Sequence, residues 1–307
     1  MPGSSPARRA RPARPVGRVP STGGGTLYLV ATPIGNLGDV TLRALEVLRS
    51  VPLIAAEDTR LSRRLLARYE IETRAVSYHA RSGPGRAEEL LAHLRTGADL
   101  ALVTDAGTPA VSDPGADLVL AWAGEGGTVV PIPGASAVLA AVAASAIAGP
   151  RWGFEGFLPR AGRERKERLA RIAADDRATV LFEAPTRLAG TLRDLAAACG
   201  ADRAAEVCRE LTKVHEQIAR GTLAELNAAV ADGSIPARGE VVIVVSGASA
   251  PAESSEAVAS TLASARAEVA ARVAAGASPG AAAKAVASET GLSRRDLYQP
   301  RTTTEQG

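Results

Sequence analysis

The sequence predicts an α/β protein of two successive sheet domains followed by a small helical domain, and three observations carry that prediction. Short apolar runs alternate with longer helical stretches along most of the chain, the pattern of βαβ crossovers and a mainly parallel sheet. Aromatic residues make up only 3% of a chain that is 46% hydrophobic. Packing must therefore rest on Ala, Val, Leu and Ile, which suits α/β layers better than an aromatic-rich β sandwich. At 307 residues, the chain is also about twice a usual domain length and has room for two cores.

In the first domain, residues 26 to 133, strands are expected at Leu27 to Ala31, Leu53 to Ala56, Leu100 to Thr104 and Thr128 to Ile132. Helices are expected at Val40 to Arg49, Leu61 to Arg68, Arg86 to Arg95 and Ala116 to Ala123, with an Ala-rich helix at Ser136 to Ala148 opening the second domain. That domain, residues 134 to 247, continues with strands Gly153 to Phe157, Thr179 to Phe182, Ala205 to Cys208, Val214 to Arg220 and Glu240 to Ser246. Its helices are Glu164 to Ala174, Thr186 to Ala198 and Leu223 to Ala231. Two adjacent strands with no helix between them imply a mixed sheet. Residues 248 to 255 read as a linker, and 256 to 300 as a small helical domain whose Glu289 to Ser293 turn has a helix-turn-helix look.

Met1 to Gly25 is rich in Pro, Gly, Ser and Arg and lacks hydrophobic periodicity, so it is expected to be a disordered basic tail. Its five arginines and no acid exceed the whole formal charge of +3, leaving the rest of the chain net acidic. No apolar run reaches the roughly 18 to 20 residues that cross a bilayer. Two cysteines, Cys199 and Cys208, are too few to staple such a chain, and with three histidines they offer no metal-ligand spacing. The expectation is a soluble protein of a reducing, cytoplasmic compartment with no metal and no membrane partner.

Four loops fall where a parallel sheet places its ligands, at the carboxyl ends of strands. The first, Thr32-Pro33-Ile34-Gly35-Asn36-Leu37-Gly38-Asp39, has glycines that admit a ligand close to the backbone. The second, Glu57-Asp58-Thr59-Arg60, packs two acids and a base directly after a buried strand. The third, Thr104-Asp105-Ala106-Gly107-Thr108-Pro109 followed by Ser112-Asp113-Pro114-Gly115, sets small residues beside acids. The fourth, Pro133-Gly134-Ala135-Ser136-Ala137, puts a tight turn and a hydroxyl at a helix start. No G-x-G-x-x-G opens a helix after a strand and no G-x-x-x-x-G-K-[ST] occurs, which demotes nicotinamide and P-loop readings.

The strings TLYLVATPIGNLGDVTLRALEVL, LIAAEDTRLSRRLL, VTDAGTPAVSDPG, VVPIPGASA, FEGFLPR, FEAPTR, CRELTKVHEQIARGTLAEL and GEVVIVVSG resemble, in order and spacing from about Thr26 to Gly247, the tetrapyrrole methylase superfamily. Within it they resemble the branch that methylates the ribose 2′-oxygen of a cytidine in the decoding region of 16S ribosomal RNA. The resemblance implies two α/β domains of tetrapyrrole-methylase type with S-adenosylmethionine in the cleft between them. It implies small-subunit ribosomal RNA or the 30S subunit as partner, and a homodimer. By motif, the methionine end of the cofactor falls to Asp105, Ala106, Gly107, Thr108 and Pro109, with Pro33 and Gly35 from the first loop and Ser136 and Ala137 beside them. Phe182, Glu183, Leu211 and the start of the GEVVIVV strand would close over the adenosine. Thr186 stands where the family usually has His, and Ala80-Arg81-Ser82 replaces an acidic and His/Asn pattern, so neither position is assigned as base.

Methyl transfer to a 2′-hydroxyl needs donor and acceptor aligned and a proton removed. Asp58, Arg60, Glu210 and Lys213 are the expected catalytic residues, although each also fits an ordinary salt bridge or helix cap. Arg160, Arg163, Arg165, Lys166, Arg168 and Arg171 form a basic cluster that fits either a phosphate track or a solvated helix face. A tetrapyrrole-precursor methyltransferase would share the cofactor loops, and a non-catalytic ribosome assembly factor would keep the basic surfaces without a cofactor.

Overall fold

The computed structural model describes residues 23–248, 255–290 and 292–297. The expected basic tail, except its last glycines, and most of the expected linker lie outside the described residues. By its contacts the chain divides into two compact units, residues 1–247 and 248–307.

The first unit holds two five-stranded sheets. In sheet one, β1 (Thr26–Val30), β2 (Leu53–Ala56), β3 (Ala75–Ser77), β4 (Leu100–Val103) and β5 (Thr128–Ile132) run in the order β3-β2-β4-β1-β5, all parallel. Successive strand residues point to opposite faces, and each face finds a helical layer. Val30, Ile54, Ala101 and Val103 pack with Leu45 and Leu48 of α1 (Leu42–Ser50) and Leu65 and Leu66 of α2 (Thr59–Arg68). Leu27, Ala55, Leu100 and Leu102 pack with Leu90 and Leu94 of α3 (Pro84–Arg95) and Leu118 and Trp122 of α4 (Ala116–Gly124). A sheet covered on both sides explains why β4 reads as the unbroken apolar run LALV, buried throughout. Among the described residues the edge strand β3 is the strand missed in sequence: three half-buried residues carry too little pattern to register.

Sheet two is mixed, in the order β6-β7-β10-β8-β9. It comprises β6 (Trp152–Phe157), β7 (Ala178–Glu183), β8 (Ala204–Arg209), β9 (Gln217–Thr222) and β10 (Val241–Val245). Only β6 and β7 pair in parallel; β10 runs antiparallel between β7 and β8, and β8 and β9 form the expected meander. One face packs against α6 (Gly162–Ala174), α7 (Leu188–Cys199) and α8 (Leu223–Ala231) through Leu169, Leu192 and Leu226. The other face, bearing Val180, Cys208, Val242 and Val244, meets Val138 and Ala141 of α5 (Ala137–Ala144) and Ile34 from the loop after β1. That contact brings the two sheets together around a cleft.

Two boundaries differ from expectation by three residues or more, for local reasons. The helix expected to reach Ala148 stops at Ala144, because the Ser145 hydroxyl oxygen accepts the amides of Ile147 and Ala148 and holds a turn. The strand expected from Val214 starts at Gln217, since Glu210 and Thr212 adopt φ of 52° and 67° and fold the chain into a tight turn first. In the second unit, α9 (Ser255–Ala274), α10 (Pro279–Thr290) and α11 (Arg294–Leu297) close on a small core of Ala265, Ala283, Val286 and Leu297. Among the described residues no helix is long and apolar enough to cross a membrane, and no cluster of His, Cys, Asp and Glu is arranged to hold a metal.

Candidate active site

Because β1, β2, β4 and β5 are parallel, their carboxyl ends share one edge of sheet one, and the loops leaving them are laced together there. Thr32 and Gly107 exchange both backbone hydrogen bonds, at 2.8 and 3.0 Å, and the Thr32 hydroxyl donates to the Thr104 carbonyl at 3.0 Å. Gly107 has φ +84°, a left-handed conformation that costs other L-residues roughly 1–2 kcal/mol. The loop after β2 is tied in by the Asp58 amide donating to Asp105 Oδ1 at 2.9 Å and the Asp105 amide donating to Glu57 Oε2 at 3.3 Å.

The cleft between this edge and the uncovered part of sheet two has a volume of about 350 Å3, within the range of small-molecule pockets. Ala106, Gly107, Thr108, Ser136 and Ala137 line it from the first sheet's loops. Phe182, Glu183 and Leu211 line it from the second sheet, together with residues 239–242 at the start of β10. The three phenylalanines of the whole sequence meet here: the Phe154 and Phe182 rings stand edge to face at 4.9 Å, and Phe157 lies 5.6 Å from Phe182. Two of them, Phe157 and Phe182, reach the cleft wall.

Of the residues expected at the cofactor, Pro33, Gly35, Asp105 and Pro109 stand outside the lining. Asp105 and Gly35 instead brace it: a Cβ on Gly35 would fall 2.4 Å from Lys213 Cγ, so only glycine lets the Lys213 stem lie against the first loop. Ile34 and Asp113, which lie in the first and third candidate loops, and Val111 and Cys208 line the cleft without having been assigned to the cofactor or the chemistry. Their signal was weak because three are apolar residues indistinguishable by type from core.

None of the four residues expected to do the chemistry lines the cleft. Asp58 caps α2 and is closed on Arg60 at 2.7 Å, which holds its carboxyl down to about 2. Lys213 bridges Glu210 at 2.8 Å and Glu240 at 3.0 Å, and this keeps Glu210 below the ordinary carboxylate range. Both pairs shape the loops that carry lining residues. The acids Asp113, Glu183 and Glu240 line the cleft. In Asp113, burial first, then the neighbouring Glu57 and Asp105 charges, push the carboxyl up to about 7. Burial likewise raises Glu57 and Asp105. Glu183, although on the wall, is committed inward, accepting from the Ala184 amide and the Thr191 hydroxyl and pairing with Arg187 at 3.2 Å.

The basic cluster of α6 is largely neutralised in place. Arg165 is buried and bonded to Asp194, Thr191 and the Pro159 carbonyl. Arg163 pairs with Glu167, and Arg168 with Glu164. Of the two readings of this cluster, a phosphate track or a solvated helix face, burial takes Arg165 out of both, and Arg168 is engaged by Glu164.

The family model of tetrapyrrole (corrin/porphyrin) methylases matches residues 26–227. The chain belongs to this methylase family. Among its relatives is the ribosomal RNA small subunit methyltransferase I of Synechocystis sp., 49% identical over 225 residues, covering 73% of this chain and 80% of the relative. The protein of the same name from Bacillus subtilis is 45% identical, covering 73% and 76%. The fold is shared with uroporphyrin-III C-methyltransferase from Thermus thermophilus in complex with S-adenosylhomocysteine, at a TM-score of 0.54 and 20% identity, covering 72% of this chain and 97% of that one. In this methylase, then, loops singled out in the sequence line the cleft, while the half-buried state of the acid on its wall emerged only from the fold.

Proposed function

We propose that the chain is an S-adenosylmethionine-dependent methyltransferase that methylates the ribose 2′-oxygen of a cytidine in the decoding region of 16S ribosomal RNA. The cleft carries this reading: small residues at Ala106, Gly107 and Thr108 and the apolar and aromatic Phe157, Phe182 and Leu211 line it, and of its acids Asp113 is the one whose carboxyl is raised toward neutrality. The names of relatives at 45–49% identity favour RNA over a tetrapyrrole.

The residues present fit the cofactor. Gly107, held open by its left-handed backbone, with Ala106 and Thr108, would receive the methionine end, and Ser136 and Ala137 would flank it. Phe182, Leu211 and the start of β10 would hold the adenosine side. When bound, S-adenosylmethionine supplies a methyl group already activated on cationic sulfur. Asp113 accepts the proton of the attacking 2′-hydroxyl, a role suited to a group titrating near neutrality. Asp58 and Arg60 act by position, since the Asp58 amide fixes Asp105 beside the lining. The Glu210, Lys213 and Glu240 network fixes the turn that presents Leu211.

The test is transfer of labelled methyl to small-subunit RNA in vitro, followed by nuclease digestion and mass spectrometry. A methyl on one cytidine 2′-oxygen is expected. A methyl on a base, or transfer only to a tetrapyrrole, would overturn the assignment.

A further inference from the structure

We propose that the exposed arginine face of α2, formed by Arg63, Arg64 and Arg68, docks the phosphate backbone of the RNA strand whose target nucleotide enters the cleft. This rests on the reading of the chain as an RNA methyltransferase and deepens it by naming a surface outside the cleft.

The helix TRLSRRLLAR holds four arginines and no acid. Spacings of three and four residues put Arg60, Arg63, Arg64 and Arg68 on one side, opposite the buried Leu65 and Leu66. The row is about 12 Å long at 1.5 Å per residue. Arg60 is closed on Asp58. Among the described residues no carboxylate lies within ion-pair distance of Arg63, Arg64 or Arg68, although Glu70 and Glu72 follow close behind in sequence. Arg68 makes only a ring contact, 5.8 Å over Tyr69. Like charges so spaced weaken a helix by a few tenths of a kcal/mol per pair, and among the described residues no carboxylate pairs with Arg63, Arg64 or Arg68 to offset this. On α6, by contrast, interleaved acids do.

Position favours the same partner. The face starts one turn beyond Asp58, whose amide is bonded to Asp105, the neighbour of the cleft residue Ala106. Beside it a groove of about 280 Å3 runs between α2 and the edge strand β3, floored by Leu66, Ile71 and Ala75 with Arg63 on its rim. A polyanion leaving the cleft on this side meets guanidinium forks suited to phosphate, next to an apolar floor for a sugar or base.

The experiment measures binding of the full chain to a decoding-region RNA oligonucleotide by fluorescence anisotropy, from about 50 to 200 mM salt. Wild type is compared with the Arg63→Ala/Arg64→Ala/Arg68→Ala variant and with an Arg163→Ala/Lys166→Ala variant of α6. The α2 variant should bind at least about tenfold more weakly, with a log–log salt slope shallower by about 2, since each lost contact to single-stranded RNA removes about 0.7. The α6 variant should stay within about twofold. Calorimetry should show S-adenosylmethionine affinity unchanged in the α2 variant, which establishes that the fold and cleft survive. Unchanged RNA affinity and slope in the α2 variant, with a wild type that methylates RNA, would sink this surface alone. A wild type that neither binds nor methylates RNA would instead sink the underlying reading, and preference of this face for phosphatidylserine vesicles over RNA would overturn the choice of partner.

Discussion

Replacing Asp113 by asparagine tests the proposed proton acceptor through two signals of opposite direction. The carboxyl moves from an ordinary 3.8 up to about 7 because the fold half-buries it beside Glu57 and Asp105. Its folded value lies above its unfolded one, so the native state binds the extra proton between those limits. Its stabilising contribution is complete at low pH and is lost as pH rises through about 7. A separation of roughly three pH units corresponds to about 4 kcal/mol, and solvent screening of a half-buried group trims this to about 1–2 kcal/mol. The substituted amide carries no charge, so the variant should be more stable than wild type at pH 8, by about 2–8 °C in melting temperature for a unit of this size, with the gain vanishing near pH 4. Methyl transfer should meanwhile fall about 10²- to 10⁴-fold. In wild type the single-turnover rate should rise as pH climbs through about 7, because only the carboxylate accepts a proton. Thermal melts at both pH values, with rapid-quench transfer assays, read both arms. A variant destabilised equally at each pH, or one that keeps wild-type turnover, would refute the reasoning.

Three further outcomes follow from the same geometry. Gly107→Val should weaken S-adenosylmethionine binding at least about tenfold by calorimetry while costing about 1–2 kcal/mol in denaturant unfolding, because valine is strained at φ +84°. Lys213→Ala removes the link between Glu210 and Glu240 that holds the Leu211 turn; cofactor Kd should rise several-fold along with a drop in kcat, whereas a change in kcat alone would make Lys213 a participant in the transition state. Arg165→Ala should lower stability by about 1–3 kcal/mol in urea titration, since it removes a buried guanidinium together with its bonds to the half-exposed Asp194, to Thr191 and to the Pro159 carbonyl. It should leave the salt slope of RNA binding unchanged.

How much of this was legible in the chain depends on whether the signal was local. Strand and helix periodicity, the parallel first sheet, the β8–β9 meander and the loops at strand ends are consequences of short-range pattern, and sequence determined them alone. So did the placement of Ala106, Gly107 and Ser136 near one another, because parallel strands put consecutive carboxyl ends on one edge. Tertiary structure decided what each charge does. Asp58 and Arg60 adjoin in sequence and close on each other, whereas Asp113 lies ten residues beyond the end of β4. Its carboxyl is raised because the packed fold half-buries it and, secondarily, because Glu57 from the loop after β2 and Asp105 from its own loop lie near it. Likewise the sequence singled out the basic cluster of α6, yet Arg165 is turned inward to Asp194, 29 residues away, while Arg63 and Arg64 of α2, not singled out, are left facing water. Residue type and periodicity specify which groups exist and which side of an element they occupy; the field and solvent exposure at a carboxyl or guanidinium depend on neighbours remote in sequence, which only the packed sheets bring together.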